Sequence, residues 1–403
     1  MPANKGLTAR RACGIMLRTD SEDRWQDREG RMRMSKARQL TRREFVKASS
    51  LAAISVGAGA TLGGMSAAHG QAASSGLQMR TLGRTGLKVT DISFGGIQIP
   101  DPALLHTAID KGINLVHTSP GYGKGKSIEC FSEVMKTKRD KVVLALKVSP
   151  SGGVEQYLKQ LHTDHVDVLI PGIHDVAELG HERMRSDFEK LKKEGKILFS
   201  GFACHKNHAA LMAEATKLGF YDVLMFDYHL GNRAELDPLL AEAKAKQNVG
   251  FMVMKAMKGL NRNDPSLVAA GFKKLLENKH VDTLCIGMAS VQELERNVAV
   301  SGQKLTLGER RMLEAHCATR LAKTCTGCGA CSACPRGILV ADILRFKMYA
   351  DERGEHEMAR EGYRELPREL TAANCNDCGQ CEAACPKRLA LRQELHAAHA
   401  MLA

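Results

Sequence analysis

The sequence predicts an α/β chain built as a closed parallel barrel of eight strand–helix units, a (β/α)8 or TIM barrel, followed by a small, mainly helical domain organised by cysteines. Two observations carry this. Between residues 79 and 303, runs rich in valine, isoleucine and leucine alternate with patterns of helical period, as expected of parallel strands joined by helical crossovers. Beyond them the cysteines fall in two dense runs, Cys325, Cys328, Cys331, Cys334-Pro335 and Cys375, Cys378, Cys381, Cys385-Pro386.

Residues 1–72 read as a leader. Thr41-Arg42-Arg43-Glu44-Phe45-Val46-Lys47 is followed by an uncharged, mildly apolar stretch from Ala48 to Ala68. The pair resembles a twin-arginine export signal. About twenty residues could span a bilayer, but Gly57, Gly59, Gly63 and Gly64 dilute the hydrophobicity, and Gly70-Gln71-Ala72 offers a small-residue cleavage site. The expectation is therefore export to the periplasm with removal of the leader and no stable membrane span afterwards. The charge-dense stretch from Asp20 to Arg33 is more than such a signal needs, which points to Met32 or Met34 as the start. Residues 1–72 hold 13 basic and 6 acidic side chains, so without them the formal net charge drops from +13 to about +6. That is an ordinary surface, and with no basic run interleaved with aromatics it argues against nucleic-acid binding.

The barrel strands are expected at Ile92–Ile97, Ile113–Ser119, Val142–Ser149, Val166–Ile173, Leu198–Cys204, Asp222–His229, Gly250–Met257 and Thr283–Ser290. Between them, Met184–Lys196 sets Phe188 and Leu191 on one side with lysines opposite, and Pro265–Lys279 starts after an Asp264 cap. An open doubly wound sheet would want a phosphate-binding G-x-G-x-x-G after the first strand, and Phe94-Gly95-Gly96-Ile97 does not continue that way.

Chemistry in such a barrel sits at the C-terminal ends of the strands. His117 and Tyr122 follow the second expected strand, Lys147 lies in the third, and His174 ends the fourth. Singly, a lysine or histidine there is often just solvated. Their joint occurrence at successive strand ends points to a site.

Arg80-Thr81-Leu82-Gly83-Arg84-Thr85-Gly86-Leu87-Lys88-Val89, Phe94-Gly95-Gly96, Gly112-Ile113-Asn114, Gly121-Tyr122-Gly123, Leu146-Lys147 and Val166-Asp167 through His174 together resemble the aldo-keto reductases. The resemblance covers about Met79 to Val300, and extends to a subgroup with a C-terminal ferredoxin-like segment beginning as Cys325-Thr326-Gly327-Cys328-Gly329 does. It implies reduction of carbonyls by a nicotinamide cofactor, with Tyr122 as proton donor, Lys147 lowering its pKa and His174 orienting a carbonyl or alcohol substrate. The family's aspartate, five residues before the tyrosine, is here His117. A carboxylate near Lys147 would favour its charged form and an imidazole does not, so Tyr122 should be a weaker acid, while His117 could itself shuttle a proton.

The same resemblance places a nucleotide phosphate at the loop after the eighth strand, giving Gly287, Met288, Ser290 and Asn297 as candidate NAD(P)H contacts at a helix start. Glu293 falls where a basic residue would meet a 2′-phosphate, which disfavours NADPH. Gly201-Phe202-Ala203-Cys204 lacks the usual serine–asparagine pair, and Met225 stands near a common glutamine. NADH, another nucleotide, or none remain.

The eight clustered cysteines are spaced for two [4Fe-4S] clusters, because three thiolates at i, i+3 steps and a fourth before proline suit a cubane better than tetrahedral zinc. Each run's fourth cysteine is expected to serve the other run's cluster: Cys325, Cys328, Cys331 with Cys385, and Cys375, Cys378, Cys381 with Cys334. Residues 304–403 would form a linker helix and this two-cluster domain, with Ile343, Leu344, Phe346 and Met348 packing inward and Asp351–Arg364 facing solvent. The leading expectation is an exported oxidoreductase relaying electrons between the barrel pocket and a redox partner protein or carrier. The alternatives are a conventional NAD(P)H-dependent carbonyl reductase with structural or regulatory clusters, and a catalytically silent barrel serving as a binding or electron-transfer subunit.

Overall fold

The computed structural model describes residues 76–403, and the expected leader with its Thr41–Lys47 motif lies outside the described residues. An antiparallel hairpin comes first, β1 (Met79–Thr81) against β2 (Lys88–Thr90). It closes the N-terminal end of the barrel. Leu82 is fully buried in the lumen with Val89, and Gly83, at φ +48°, passes so near Gly250 that a Cβ would lie 2.2 Å from its nitrogen. Only glycine tolerates both the left-handed backbone and that approach.

Eight parallel strands then close on themselves: β3 (Ile92–Gly95), β4 (Leu115–Thr118), β5 (Val143–Leu146), β6 (Val166–Leu169), β7 (Ile197–Cys204), β8 (Val223–Asp227), β9 (Gly250–Met254) and β10 (Thr283–Gly287), which pairs back with β3. All eight lie within or overlap the stretches expected from sequence. Their side chains alternate with period two. Leu115, Val143, Ala145, Val168, Ala203, Met225, Met252 and Cys285 fill the lumen, while Val116, Leu144, Leu146, Leu169 and Leu284 face the helices in a separate, larger core. The helix Glu182–Glu194 buries Phe188 and Leu191. Pro265–Leu276 is capped by Asp264, whose carboxylate accepts from the Leu267 amide at 3.0 Å.

A capping box of Thr306 and Glu309 starts the helix Leu307–Thr319, which leads into the cysteine-rich domain. That domain has its own core, including Ile338, Ile343, Tyr349, Tyr363 and Leu395. Its two cysteine loops repeat one backbone design. Left-handed residues follow the first cysteine by two and four positions, Gly327 and Gly329 in one loop, Asp377 and Gly379 in the other. Another follows the fourth cysteine by three, Gly337 and Arg388. Amides there bond back to the cysteine carbonyls, Gly337 to Cys334 at 2.9 Å and Arg388 to Cys385 at 3.0 Å. Each loop then runs into a helix, Val340–Arg353 or Leu391–Leu402. The extra residue between Cys381 and Cys385 is absorbed in the short helix Gln380–Ala384, where the first run has a 3-10 turn over Ala330–Ala333.

The cysteine-rich domain lies over the C-terminal face of the barrel. Lys206 pairs with Asp342 at 2.6 Å, Lys255 with Tyr349 at 2.7 Å, and Arg353 with Gln98 at 2.9 Å. The charged segment expected in solvent from Asp351 onward is therefore partly an interface: Glu352, Arg353, Met358 and Glu361 wall the barrel mouth. Their polarity is met by Gln98, Lys124 and the Gly259 amide across the joint. Among the described residues no helix is long and apolar enough to cross a membrane.

Candidate active site and cysteine clusters

The alternation that fills the lumen also sets the site. Extending the inward parity of each strand by two residues puts His117 (after Leu115), Lys147 (after Ala145), His205 (after Ala203) and Asp227 (after Met225) at the C-terminal mouth. A cavity of about 250 Å³ opens there, lined by His117, Tyr122, Lys147, His205, Lys255 and Cys285 from the barrel side and by Arg345, Tyr349 and Arg353 from the covering helix Val340–Arg353. The volume lies just below the roughly 300–1,000 Å³ of ordinary ligand pockets, so the site suits a small molecule.

Of the expected residues, His117, Tyr122 and Lys147 are brought together, and His174 is not. His174 is exposed on the loop after β6 and does not line the cavity, although it and Lys147 flank the same side of Gly172, where a Cβ would meet His174 Nε2 at 3.7 Å and Lys147 Cε at 3.8 Å. His117 is 1% exposed and its Nε2 has no hydrogen-bond partner among the described residues. Burial, then the positive charge of Lys147, pulls its imidazole down to about 3, so it is neutral. Its ring meets Tyr122 edge-on, 5.7 Å between centroids. The Tyr122 phenol is pushed far up, chiefly by burial.

Lys147 is lowered by burial, partly offset by the nearby Tyr349 and by Asp227. Its Nζ lies 3.5 Å from His205 Nε2, and His205 Nδ1–H donates to Asp227 Oδ1 at 2.9 Å. The carboxylate missing at position 117 thus reaches Lys147 through an imidazole instead. Burial keeps His205 neutral. Burial alone would raise Asp227, but the His205 hydrogen bond and neighbouring cations hold it well below the usual carboxylate range. Lys255 and Tyr349 are the other pair that sequence reasoning missed. Lys255 is lowered by burial to about 8, and its ammonium, 2.7 Å from the Tyr349 oxygen and 3.9 Å from the ring centroid, with Arg345 beside it, outweighs burial and brings the phenol down to about 7.

The expected phosphate loop is occupied by its own side chains. Ser290 caps the helix Val291–Val298 by accepting from the Glu293 amide at 3.2 Å, and Glu293 accepts from the Ala289 amide at 2.8 Å. Met288 is fully buried. Gly287 lines the main cavity and, with Asn297, a smaller one of about 70 Å³. Above Gly287 lie Gln98 and Arg353: a Cβ there would sit 3.1 Å from Gln98 Oε1 and 3.5 Å from Arg353 Nη2.

Cys325, Cys328, Cys331 and Cys385 line one small, mostly apolar cavity, the grouping expected for the first cluster. Burial, then Cys325 and Cys328, pushes the Cys331 thiol up to about 12. Burial likewise raises Cys381, which has Cys334 and Cys375 as neighbours, while Cys378 is exposed. Four thiols lining one apolar cavity fit an iron–sulfur cluster, which takes them as thiolates and repays that burial. This first loop touches the active site: the Asn207 amide donates to Gly327 O at 3.0 Å, and a second cavity of about 510 Å³ is lined by His205, Asp227 and Arg345 together with Cys325 and Gly327.

Comparison with known proteins agrees with this architecture. Residues 101–264 match the aldo/keto reductase family and residues 324–390 a 4Fe-4S dicluster domain. The chain is 26% identical to L-galactose dehydrogenase of Arabidopsis thaliana over 290 residues, 58% of this chain and 90% of that protein. It is 22% identical to an uncharacterized oxidoreductase of Bacillus subtilis, covering 60% of this chain and 96% of that one. The holo form of an aldo-keto reductase from Bacillus halodurans shares the fold, with TM-score 0.51 at 19% identity over 60% of this chain and 96% of that chain. The chain joins an aldo/keto reductase domain, matched over residues 101–264, to a C-terminal 4Fe-4S dicluster domain, and is an aldo/keto-reductase-like oxidoreductase.

Proposed function

We propose that this is an exported oxidoreductase that converts a small anionic alcohol or carbonyl compound in the barrel pocket and exchanges the electrons with an external redox partner through two [4Fe-4S] clusters. The observation that carries the reading is the shared wall: His205 and Arg345 line both the pocket and the cavity that reaches Cys325. The clusters would supply single-electron transfer, held by Cys325, Cys328, Cys331 and Cys385 and by Cys375, Cys378, Cys381 and Cys334. This chain's part in the pocket is to bind, orient and move protons. Lys147, Lys255, Lys258, Arg262, Arg345 and Arg353 face Glu352, Glu361 and Glu365 there, an excess of cations that selects a carboxylate-bearing substrate. The alcohol–carbonyl class follows the relatives, named as a dehydrogenase and an oxidoreductase. Export rests on the Thr41–Lys47 motif and agrees with clusters assembled before a folded protein is moved.

Two features support electrons arriving through clusters rather than a nicotinamide. Glu293 takes the loop amide a phosphate would use, and its charge repels one. The Arg353–Gln98 pair covers Gly287. The test is calorimetric titration of anaerobically matured, cluster-loaded protein with NADPH and NADH, beside the same protein carrying Cys325→Ser. The reading expects no binding of either nucleotide and loss of substrate-linked electron transfer in the variant. Nucleotide-driven aldehyde reduction that survives Cys325→Ser would refute it.

A further inference from the structure

The tyrosine–lysine couple that the family resemblance puts on Tyr122 and Lys147 is not formed there. Lys147 is turned to His205, and among the described residues no hydrogen bond joins it to the Tyr122 phenol. The same pair of groups exists a few residues away in the pocket, assembled from both domains. Tyr349 comes from the covering helix and is 5% exposed. Lys255 comes from the end of β9, where the chain leaves the strand with φ +59°. A lysine in the left-handed region is strained and persists only where its surroundings enforce it. Here that turn breaks the inward parity of Met252 and Met254 and delivers Nζ to the Tyr349 oxygen.

We propose that Tyr349, supplied by the cluster domain and hydrogen-bonded by Lys255, is the group that exchanges a proton with the substrate oxygen in the barrel pocket; this rests on the oxidoreductase reading above. The step is a proton transfer alone: in one direction the substrate alcohol O–H bond breaks, its proton goes to the Tyr349 phenolate oxygen and an alkoxide remains, and in the other direction the phenol O–H protonates the alkoxide oxygen. The phenolate is held by Lys255 and by Arg345, with Arg353 lying 5.4 Å from the ring centroid. Lys147 faces it from β5 and Glu352, Glu361 and Glu365 from the cluster domain, while neutral His117, His205 and Tyr122 complete the wall. The appended domain is therefore part of the catalytic site as well as its electron conduit.

The role separates from a structural one by direct titration of tyrosinate ultraviolet absorbance in cluster-loaded protein, without substrate. Wild type should show one tyrosine ionising near neutral pH. The signal should vanish in Tyr349→Phe, persist in Tyr122→Phe, and move at least tenfold in proton affinity in Lys255→Met. A neutral-range ionisation that survives Tyr349→Phe, or is absent from wild type, overturns the proposal. In parallel, oxidation of pre-reduced clusters by glyoxylate is followed against pH. Tyr349→Phe should slow it roughly 10²- to 10⁴-fold, the usual worth of general acid catalysis, and abolish the neutral inflection; an unchanged rate and profile overturn the catalytic role. If wild-type clusters are inert to glyoxylate and pyruvate while the ionisation maps to Tyr349, the oxidoreductase reading fails and the catalytic role falls with it, whereas the Tyr349–Lys255 couple stands.

Discussion

His205 bridges Asp227 and Lys147: its Nδ1–H donates to Asp227 Oδ1 at 2.9 Å, leaving the Nε2 lone pair toward Lys147 Nζ at 3.5 Å. A buried carboxylate that accepts from one imidazole nitrogen selects the tautomer presented by the other. The position five residues before Tyr122 has lost its acid, and Lys147 has kept a carboxylate at one remove. Asp227→Asn should therefore lower stability by about 1–3 kcal/mol through an unsatisfied buried group. It should also slow substrate-linked cluster oxidation on the order of 10²-fold. Denaturation midpoints and single-turnover rates measure the two separately, and a variant with wild-type rates would show that the relay plays no part.

Acid sensitivity follows from His117. Its folded value, about 3, lies below the ordinary 6.5 of an unfolded histidine. Between those values the unfolded chain binds the extra proton, so stability is full above 6.5 and falls as pH drops toward 3. At pH 5 this one residue costs about 2 kcal/mol. His117→Asn should flatten the decline of the denaturation midpoint from pH 7 to pH 5. An unchanged slope would show that His117 is not held neutral.

Cluster pairing has a sharp signature. Cys385 shares its cavity with Cys325, Cys328 and Cys331, so Cys385→Ser should cost the first cluster and Cys334→Ser the second. Iron analysis should fall by about half in each, and the two variants should retain different electron paramagnetic resonance signals. Identical residual signals would contradict the crossed arrangement.

The loop after β10 gives a gain-of-binding test. Glu293→Ala frees the Ala289 amide and removes a charge facing any phosphate. Calorimetry should show NADPH binding in the variant where wild type shows none, as removal of roughly 1 kcal/mol of screened repulsion strengthens binding about tenfold. No binding in either protein would mean that Glu293 is not what closes this site.

Much of the architecture was legible in the sequence because it rests on short-range periodicity. Strand alternation located all eight barrel strands, and cysteine spacing located the cluster loops. His205 and Asp227 were readable too: the strand-end rule that singled out His117 and Lys147 applies equally to the residues ending β7 and β8. Tyr349 and Lys255 were not, since they meet across 94 positions of sequence and depend on how two domains dock. The segment Asp351–Arg364 misled for the same reason: its charges read as solvated until Gln98, Lys124 and the Gly259 amide are seen opposite. His174 fits the family pattern by sequence position, but the chain after β6 leads it outside the cavity wall.

Exchange of electrons between the pocket and the clusters is decided by single-turnover oxidation of pre-reduced protein. Dithionite-reduced, desalted protein is mixed anaerobically with glyoxylate or pyruvate while the visible absorbance of the clusters is followed. The oxidised spectrum should recover at a rate that saturates with the oxo acid and collapses in Lys147→Met. Clusters that stay reduced, while NADPH drives reduction of the same compounds, would contradict it.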